Sequence, residues 1–126
     1  MELYNIATRH PDGTISRHYE IRPPTPELRA LVAVLGSWSD SGKVDAAVNR
    51  HGYGNTDIGC GVEYPESDEA IPAGSVRLHT FWGPPDGEEF IIPERLYLQV
   101  LELWLFLSQV NRDPIAALLK TMDAQA

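Results

Sequence analysis

The sequence predicts an α+β fold, with a mainly antiparallel sheet of about five strands and two or three helices packed on one face of it. Strand-like alternation of apolar and polar residues comes in blocks, separated by turn sequences rich in glycine and proline. Helical periodicity begins after Thr25 and again after Pro93. The order is therefore two strands, a helix, about three strands and two helices, which indicates an α+β fold. A length of 126 residues predicts a single domain over residues 1–126.

The first two strands are predicted to form an N-terminal hairpin. Residues 2–9 (ELYNIATR) alternate in polarity, and residues 14–22 (TISRHYEIR) place Ile15, Tyr19 and Ile21 on one face. Between them, HPDG supplies the proline and Asp-Gly residues typical of a turn.

The first helix is predicted to begin with Thr25 as its N-cap and Pro26 in the first helical position. Its buried face is given by apolar residues at helical spacing, namely Leu28, Leu31, Val32 and Leu35. Gly36 is a suitable residue to end it. Residues 37–42 (SWSDSG) are predicted to be a loop, and residues 43–52 (KVDAAVNRHG) either a short helical turn or a strand.

The second half of the sheet is predicted to contain a strand over residues 57–65 and a hairpin of residues 75–82 and 88–93. The first of these strands has one apolar face, formed by Ile58, Cys60, Val62 and Tyr64. Gly59 and Gly61 lie within it and mark a bulge or a close backbone approach.

The C-terminal part is predicted to be helical. The longest helix covers residues 94–110 and is apolar around most of its surface, so it is expected to be covered on most sides. Phe106 falls on its narrow polar stripe and is expected to be exposed. Asp113 and Pro114 begin a short final helix. The longest apolar run, about 12 residues, is too short to span a bilayer.

The net charge of −8 is confined to one part of the chain. Residues 1–56 hold six acidic and six basic residues, and residues 95–126 hold three of each. Residues 57–94 hold nine acidic residues and one basic residue, Arg77. Charge that serves solubility alone is expected to be spread along the chain, whereas a focused negative patch attracts a basic partner. The acidic balance excludes nucleic acid as the expected partner.

The sequence therefore predicts a small acidic binding protein whose partner is a cationic protein, with no nucleic acid or membrane partner. It is expected to be cytoplasmic, because its only cysteine forms no internal disulfide and its N-terminus lacks signal-peptide features. A monomer or weak homodimer is expected. The predicted partner-binding residues are Glu63, Glu66, Asp68, Glu69, Trp82, Asp86, Glu88 and Glu89.

Catalytic and metal chemistry find little support in the sequence. Zinc sites usually pair their ligands at short spacing, and the four histidines and Cys60 show no such pairing. The glycines near Cys60 lack the context of a phosphate-binding loop. No catalytic residue, metal or cofactor is therefore predicted. The alternative is a small enzyme that uses Cys60 with His51 or His79, although Cys60 falls on the apolar strand face.

Residues 83–107 have the sequence GPPDGEEFIIPERLYLQVLELWLFL, which reads as a strand, an Ile-Pro pair and an apolar helix. This segment resembles the C-terminal ends of several immunity proteins from bacterial polymorphic-toxin and contact-dependent inhibition systems. The likeness covers about a fifth of the chain. It implies a function in which the protein binds a toxin domain, often a basic nuclease, and covers its active site. No individual residue role is transferred. A third alternative is a non-catalytic subunit of a larger complex, with Phe106 and the final helix at the interface.

Overall fold

The computed structural model describes residues 1–55, 60–80 and 87–125. Trp82 and Asp86, which are predicted to bind a partner, lie outside these ranges, as does Ile58. The α+β class is confirmed, because the described residues form four helices and two antiparallel sheets of two and four strands. The sequence-based numbers of about five strands and two or three helices are thus slightly low.

The N-terminal hairpin is confirmed. Strands β1 (Glu2–Arg9) and β2 (Ile15–Arg22) pair along their full length. Asp12 shapes the turn by accepting hydrogen bonds from the backbone N–H and hydroxyl of Thr14. Only the base of the predicted apolar face is covered: Ile21 is buried, whereas Ile15 near the turn is exposed.

Helix α1 (Pro26–Gly36) begins as predicted, with the Thr25 hydroxyl accepting a hydrogen bond from the N–H of Leu28. The predicted loop over residues 37–42 is wrong in its second half, because helix α2 (Asp40–Asn49) begins there. The Ser39 hydroxyl caps α2 by accepting from the N–H of Gly42. The helix is stabilised by this cap and by burial of Lys43, Ala46 and Ala47, which fall at helical spacing but give a weak apolar pattern because one is charged and two are small.

The larger sheet has the order β3–β4–β5–β6, and all its strands are antiparallel. Its strands are β3 (Tyr53–Asn55), β4 (Cys60–Glu63), β5 (Ser75–Thr80) and β6 (Glu88–Pro93). The hairpin predicted at 75–82 and 88–93 is confirmed within the described residues. A 3₁₀ turn, Pro65–Ser67, follows β4.

The two faces of this sheet differ because side chains alternate along each strand. Apolar residues of the inner face, such as Val62, Leu78 and Ile92, are buried, and α1 and α3 (Glu94–Leu107) pack against this side. The opposite side is defined here as the outer face. Its residues on β4, β5 and β6 are Gly61, Glu63, Arg77, His79, Glu89 and Ile91.

Helix α3 is shorter than the predicted 94–110, and the final helix α4 (Asp113–Gln125) is longer than expected. Helix α3 contacts β1, β5, β6, α1 and α4, which explains its largely apolar composition.

Phe106 is 58% exposed, as predicted, and the Arg112 guanidinium lies 4.8 Å from its ring centre. Among the described helices, none combines the length and the hydropathy needed to cross a bilayer.

Candidate functional site

The outer face of the larger sheet is the candidate functional site, because it displays charged side chains while α1 and α3 pack on the other side. Ile91 is 48% exposed at its β6 edge, and the neighbouring Glu89 is also exposed. An exposed apolar side chain beside charged groups is a common composition of a protein-binding surface.

An ion-pair cluster centred on Arg77 organises this face. The register pairs Glu63 on β4 with Arg77 on β5. Arg77 Nη2 lies 3.0 Å from Glu63 Oε2 and 2.9 Å from Asp68 Oδ2. Asp68 is supplied by the connection after β4, where it also accepts a hydrogen bond from the N–H of Ala70. The hydrogen bond from the Ala70 N–H and, to a smaller extent, the Arg77 guanidinium lower the pKa of Asp68 below its ordinary value.

His79 extends the cluster. Its ring lies over Gly61, the residue directly opposite it in the register. Its Nδ1 atom is 3.5 Å from Glu63 Oε1. A side chain at position 61 would collide with this ring and with the carbonyl of Tyr53. Of the bulge or close backbone approach expected at Gly59 and Gly61, a close approach is found at Gly61, whereas Gly59 lies outside the described residues.

The structure brings together only some of the predicted partner-binding residues. Glu63, Asp68 and Glu89 lie with Arg77 on or against the outer face. Glu69, the residue after Asp68, is exposed and forms no ion pair with any described residue.

The other predicted residues lie elsewhere. Glu88 is opposite Thr80 in the register and therefore shares the inner-face side, away from Glu89. Glu66 is 3.1 Å from Arg50, which follows α2. The acidic segment is thus divided among at least three locations. Trp82 and Asp86 lie outside the described residues.

Arg50 is a site residue that the sequence pattern does not reveal. It adopts a left-handed conformation at the end of α2, with φ of 53°. Its guanidinium bridges Glu66 and Glu94, at 3.1 and 3.3 Å, and lies 5.4 Å from the ring centre of Tyr64. Arg50, Glu66 and Tyr64 line an open groove of about 520 Å³ that also includes His51.

No family model, curated protein or solved structure matches this chain.

Cys60 does not share a face with His79. Cys60 pairs with Thr80 in the register, whereas His79 pairs with Gly61, so their side chains lie on opposite faces of the sheet. Cys60 is fully buried in the core, with its Sγ atom 3.8 Å from the carbonyl oxygen of Ala33. His51, the other histidine considered with it, is exposed. Over the described ranges, no three His, Cys, Asp or Glu side chains are grouped so as to hold a metal ion.

Glu94→Gln is expected to reduce the loss of stability that occurs as the pH rises above 4.5. Glu94 is only 5% exposed, and burial raises its pKa above the ordinary 4.5, although Arg50 opposes this shift. As pH rises above 4.5, the unfolded state loses this proton before the folded state does, so the free energy of unfolding falls. Glutamine removes the titration and hence that part of the slope.

Urea unfolding at several pH values measures this effect, with Glu102→Gln, a half-buried position on the same helix, as the matched control. The lowered pKa values of Asp12 and Asp68 act in the opposite direction, lowering stability as the pH falls toward and below 3.8, and this effect is common to both variants. An unchanged slope in Glu94→Gln would show that burial of Glu94 does not govern the pH dependence.

Proposed function

We propose that the protein is an immunity protein, which binds a cationic toxin domain through its outer face and covers that domain's active site. The observation that carries this proposal is the excess of carboxylates there: Glu63, Asp68 and Glu89 accompany a single guanidinium, Arg77. This face belongs to the segment 57–94 that holds the net charge of −8. A nuclease that binds phosphate through basic residues has the complementary charge.

The ion-pair cluster prepares this face for binding. Arg77 already holds the carboxylates of Glu63 and Asp68, so these side chains lose little further freedom when a partner docks. Glu69 and Glu89 are exposed and unpaired among the described residues, which leaves their charge for a partner's lysine or arginine. The exposed side chain of Ile91 provides apolar contact area beside them.

Electrostatic attraction of this kind acts mainly on the rate of association. Complementary charges steer the encounter of two proteins, and salt screens them over a distance of about 8 Å at physiological ionic strength. Binding to a basic toxin domain is therefore expected to slow as the salt concentration rises. The resemblance of residues 83–107 to immunity proteins supports the same class of partner.

The double variant Glu69→Lys/Glu89→Lys is expected to bind the partner about tenfold more weakly, chiefly through slower association. Both residues are exposed and make no ion pair with described residues, so folding should be preserved. The partner is first captured from the native host on the immobilised protein, identified and purified. Association and dissociation rates are then measured at several salt concentrations.

The matched control is Asp45→Lys/Glu102→Lys, which makes the same change in net charge on α2 and α3. It should bind almost as the native protein does, because both positions lie away from the outer face. Equal weakening by both variants would mean that only total charge matters. Native-like binding of the Glu69/Glu89 variant would refute the assignment of the outer face, and a captured partner that is neither basic nor inhibited would refute the toxin assignment.

A further inference from the structure

A second groove, of about 490 Å³, lies between β2 and α1. One wall is formed by five consecutive residues of β2, 18–22, and the remainder by Pro24, Arg29 and Val32. Neighbouring residues of a strand point to opposite faces, so a wall made of five in succession follows the edge of the strand rather than one face. The groove therefore runs along the backbone of β2.

That edge of β2 is open to pairing. Within the described ranges, β2 pairs with β1 alone, so its other edge carries backbone N–H and C=O groups without a strand partner. Such an edge is a template for another extended chain. We propose that this groove binds an extended acidic peptide segment of a partner protein, which pairs with β2 as an added strand.

The charges around the groove select an acidic segment. Arg22 and Arg29 approach it from β2 and α1, against one carboxylate, Glu20. Arg29 forms no ion pair with a described residue, and Arg22 lies 3.8 Å from Glu20. Arg22 also lies opposite Glu2 in the register and over the Tyr4 ring of β1, so Arg29 is the guanidinium left for a carboxylate on the incoming chain.

The apolar lining defines the other half of the sequence preference. Ile21 is buried at the groove wall, and Tyr19 and Val32 are partly buried against the core. A strand added here presents alternate side chains to two sides of the groove. One side has the apolar residues, with Arg29 one turn before Val32 on α1, and the other has Glu20 and Arg22. Five strand residues span about 16 Å, so the segment that fits has about five residues in which apolar and acidic residues alternate.

This groove is separate from the outer face. Helix α1 contacts β2 and also contacts β4 and β5 on the inner face of the larger sheet. The helix and the sheet therefore lie between the groove and the outer face. A cationic domain on the outer face and an acidic strand in the groove are compatible in one complex, and the groove proposal does not depend on the proposed function.

Binding is tested on the full chain with three labelled seven-residue peptides. The first alternates valine and glutamate, the second replaces glutamate with lysine, and the third is the first with alternate backbone amides methylated, which blocks strand pairing. The acidic peptide is expected to bind at least fivefold more tightly than the other two and to shift the amide NMR signals of residues 18–22. Arg29→Ala should weaken binding about fivefold, whereas Arg17→Ala, an exposed β2 position outside the groove lining, should not.

Each other result overturns the proposal in a specific way. If the lysine peptide binds equally well, the groove does not select acidic residues. If the methylated peptide binds equally well, the peptide does not pair with β2 as an added strand. Free glutamate that binds as tightly as the peptide would make this a site for small anions. A dimer of the peptide-free protein that perturbs residues 18–22 would assign the edge to a second copy. If no peptide binds at millimolar concentration, the unpaired edge of β2 does not have the proposed peptide-binding function.

Discussion

Asp40→Ala is expected to destabilise the protein by about 3 kcal/mol, because it leaves a buried ammonium group without its counter-ion. The Lys43 side chain is only 4% exposed, and its Nζ atom lies 2.7 Å from Asp40 Oδ1. The same carboxylate oxygen accepts a hydrogen bond of 3.1 Å from the indole N–H of Trp104 on α3. Asp40 thus stabilises two donors at once and attaches α2 to α3.

The matched variant is Lys43→Met, which removes the buried charge but keeps an unbranched side chain over the Trp104 ring. The ammonium lies 4.9 Å from that ring, so the variant loses a cation–π contact and the ion pair. It also removes the need to bury a charge, so we expect a change within about 1 kcal/mol. Combining Lys43→Met with Asp40→Ala should therefore restore part of the stability lost in Asp40→Ala alone.

Urea unfolding followed by circular dichroism measures the three variants under the same conditions. Tryptophan fluorescence is a less suitable probe, because Trp104 itself belongs to the network. A loss below about 1 kcal/mol in Asp40→Ala would contradict the network's role, since surface ion pairs already contribute that much. Equal losses in the single and double variants would show that the buried ammonium is not the cause.

The position of a helix or strand can be predicted from the sequence where residues within that element determine its structure. Thr25 and Pro26 define the start of α1 because the cap and the first-turn proline act locally. In the sequence of β5 the apolar residues Val76 and Leu78 alternate with polar ones, and both are buried on the inner face. Helix α2 is different, because Asp40, Ser41 and Gly42 in its first turn are weak helix formers. Its helical state depends on the Ser39 cap and on packing against the rest of the protein.

The site is less predictable because it depends on register and on distant residues. Alternation correctly directs Arg77 and His79 away from the core. This pattern cannot show that Arg77 lies opposite Glu63, because that depends on the register between β4 and β5. The two strands are joined by the long connection 64–74, which does not fix the register as a tight turn does. Charge counting places Arg50 in a neutral segment, yet the fold carries it to Glu66. Only the three-dimensional arrangement shows which acidic charges are already paired.

Gly61→Ala is expected to destabilise the protein by about 3 kcal/mol and to disturb the outer face. A Cβ atom at this position would lie 2.6 Å from His79 Cε1 and closer still to the carbonyl oxygen of Tyr53. The His79 ring has some freedom to rotate away. The Tyr53 carbonyl belongs to the backbone of β3, so relieving that contact requires a shift of the strand that pairs with β4.

Gly54→Ala is the matched control, since Gly54 lies directly opposite Gly61 in the register and an added Cβ there meets no atom of a described residue within 4 Å. Alanine at position 54 should be neutral or stabilise by about 0.5 kcal/mol, because glycine weakens a strand. Adding His79→Ala to Gly61→Ala should restore only part of the lost stability, as the contact with Tyr53 remains. Full restoration would assign the crowding to the imidazole alone, and equal stability of the two alanine variants would mean that Gly61 is not required by its neighbours. The result therefore shows whether Gly61 is needed to make room for the His79 ring over the sheet or to allow the close spacing of β3 and β4.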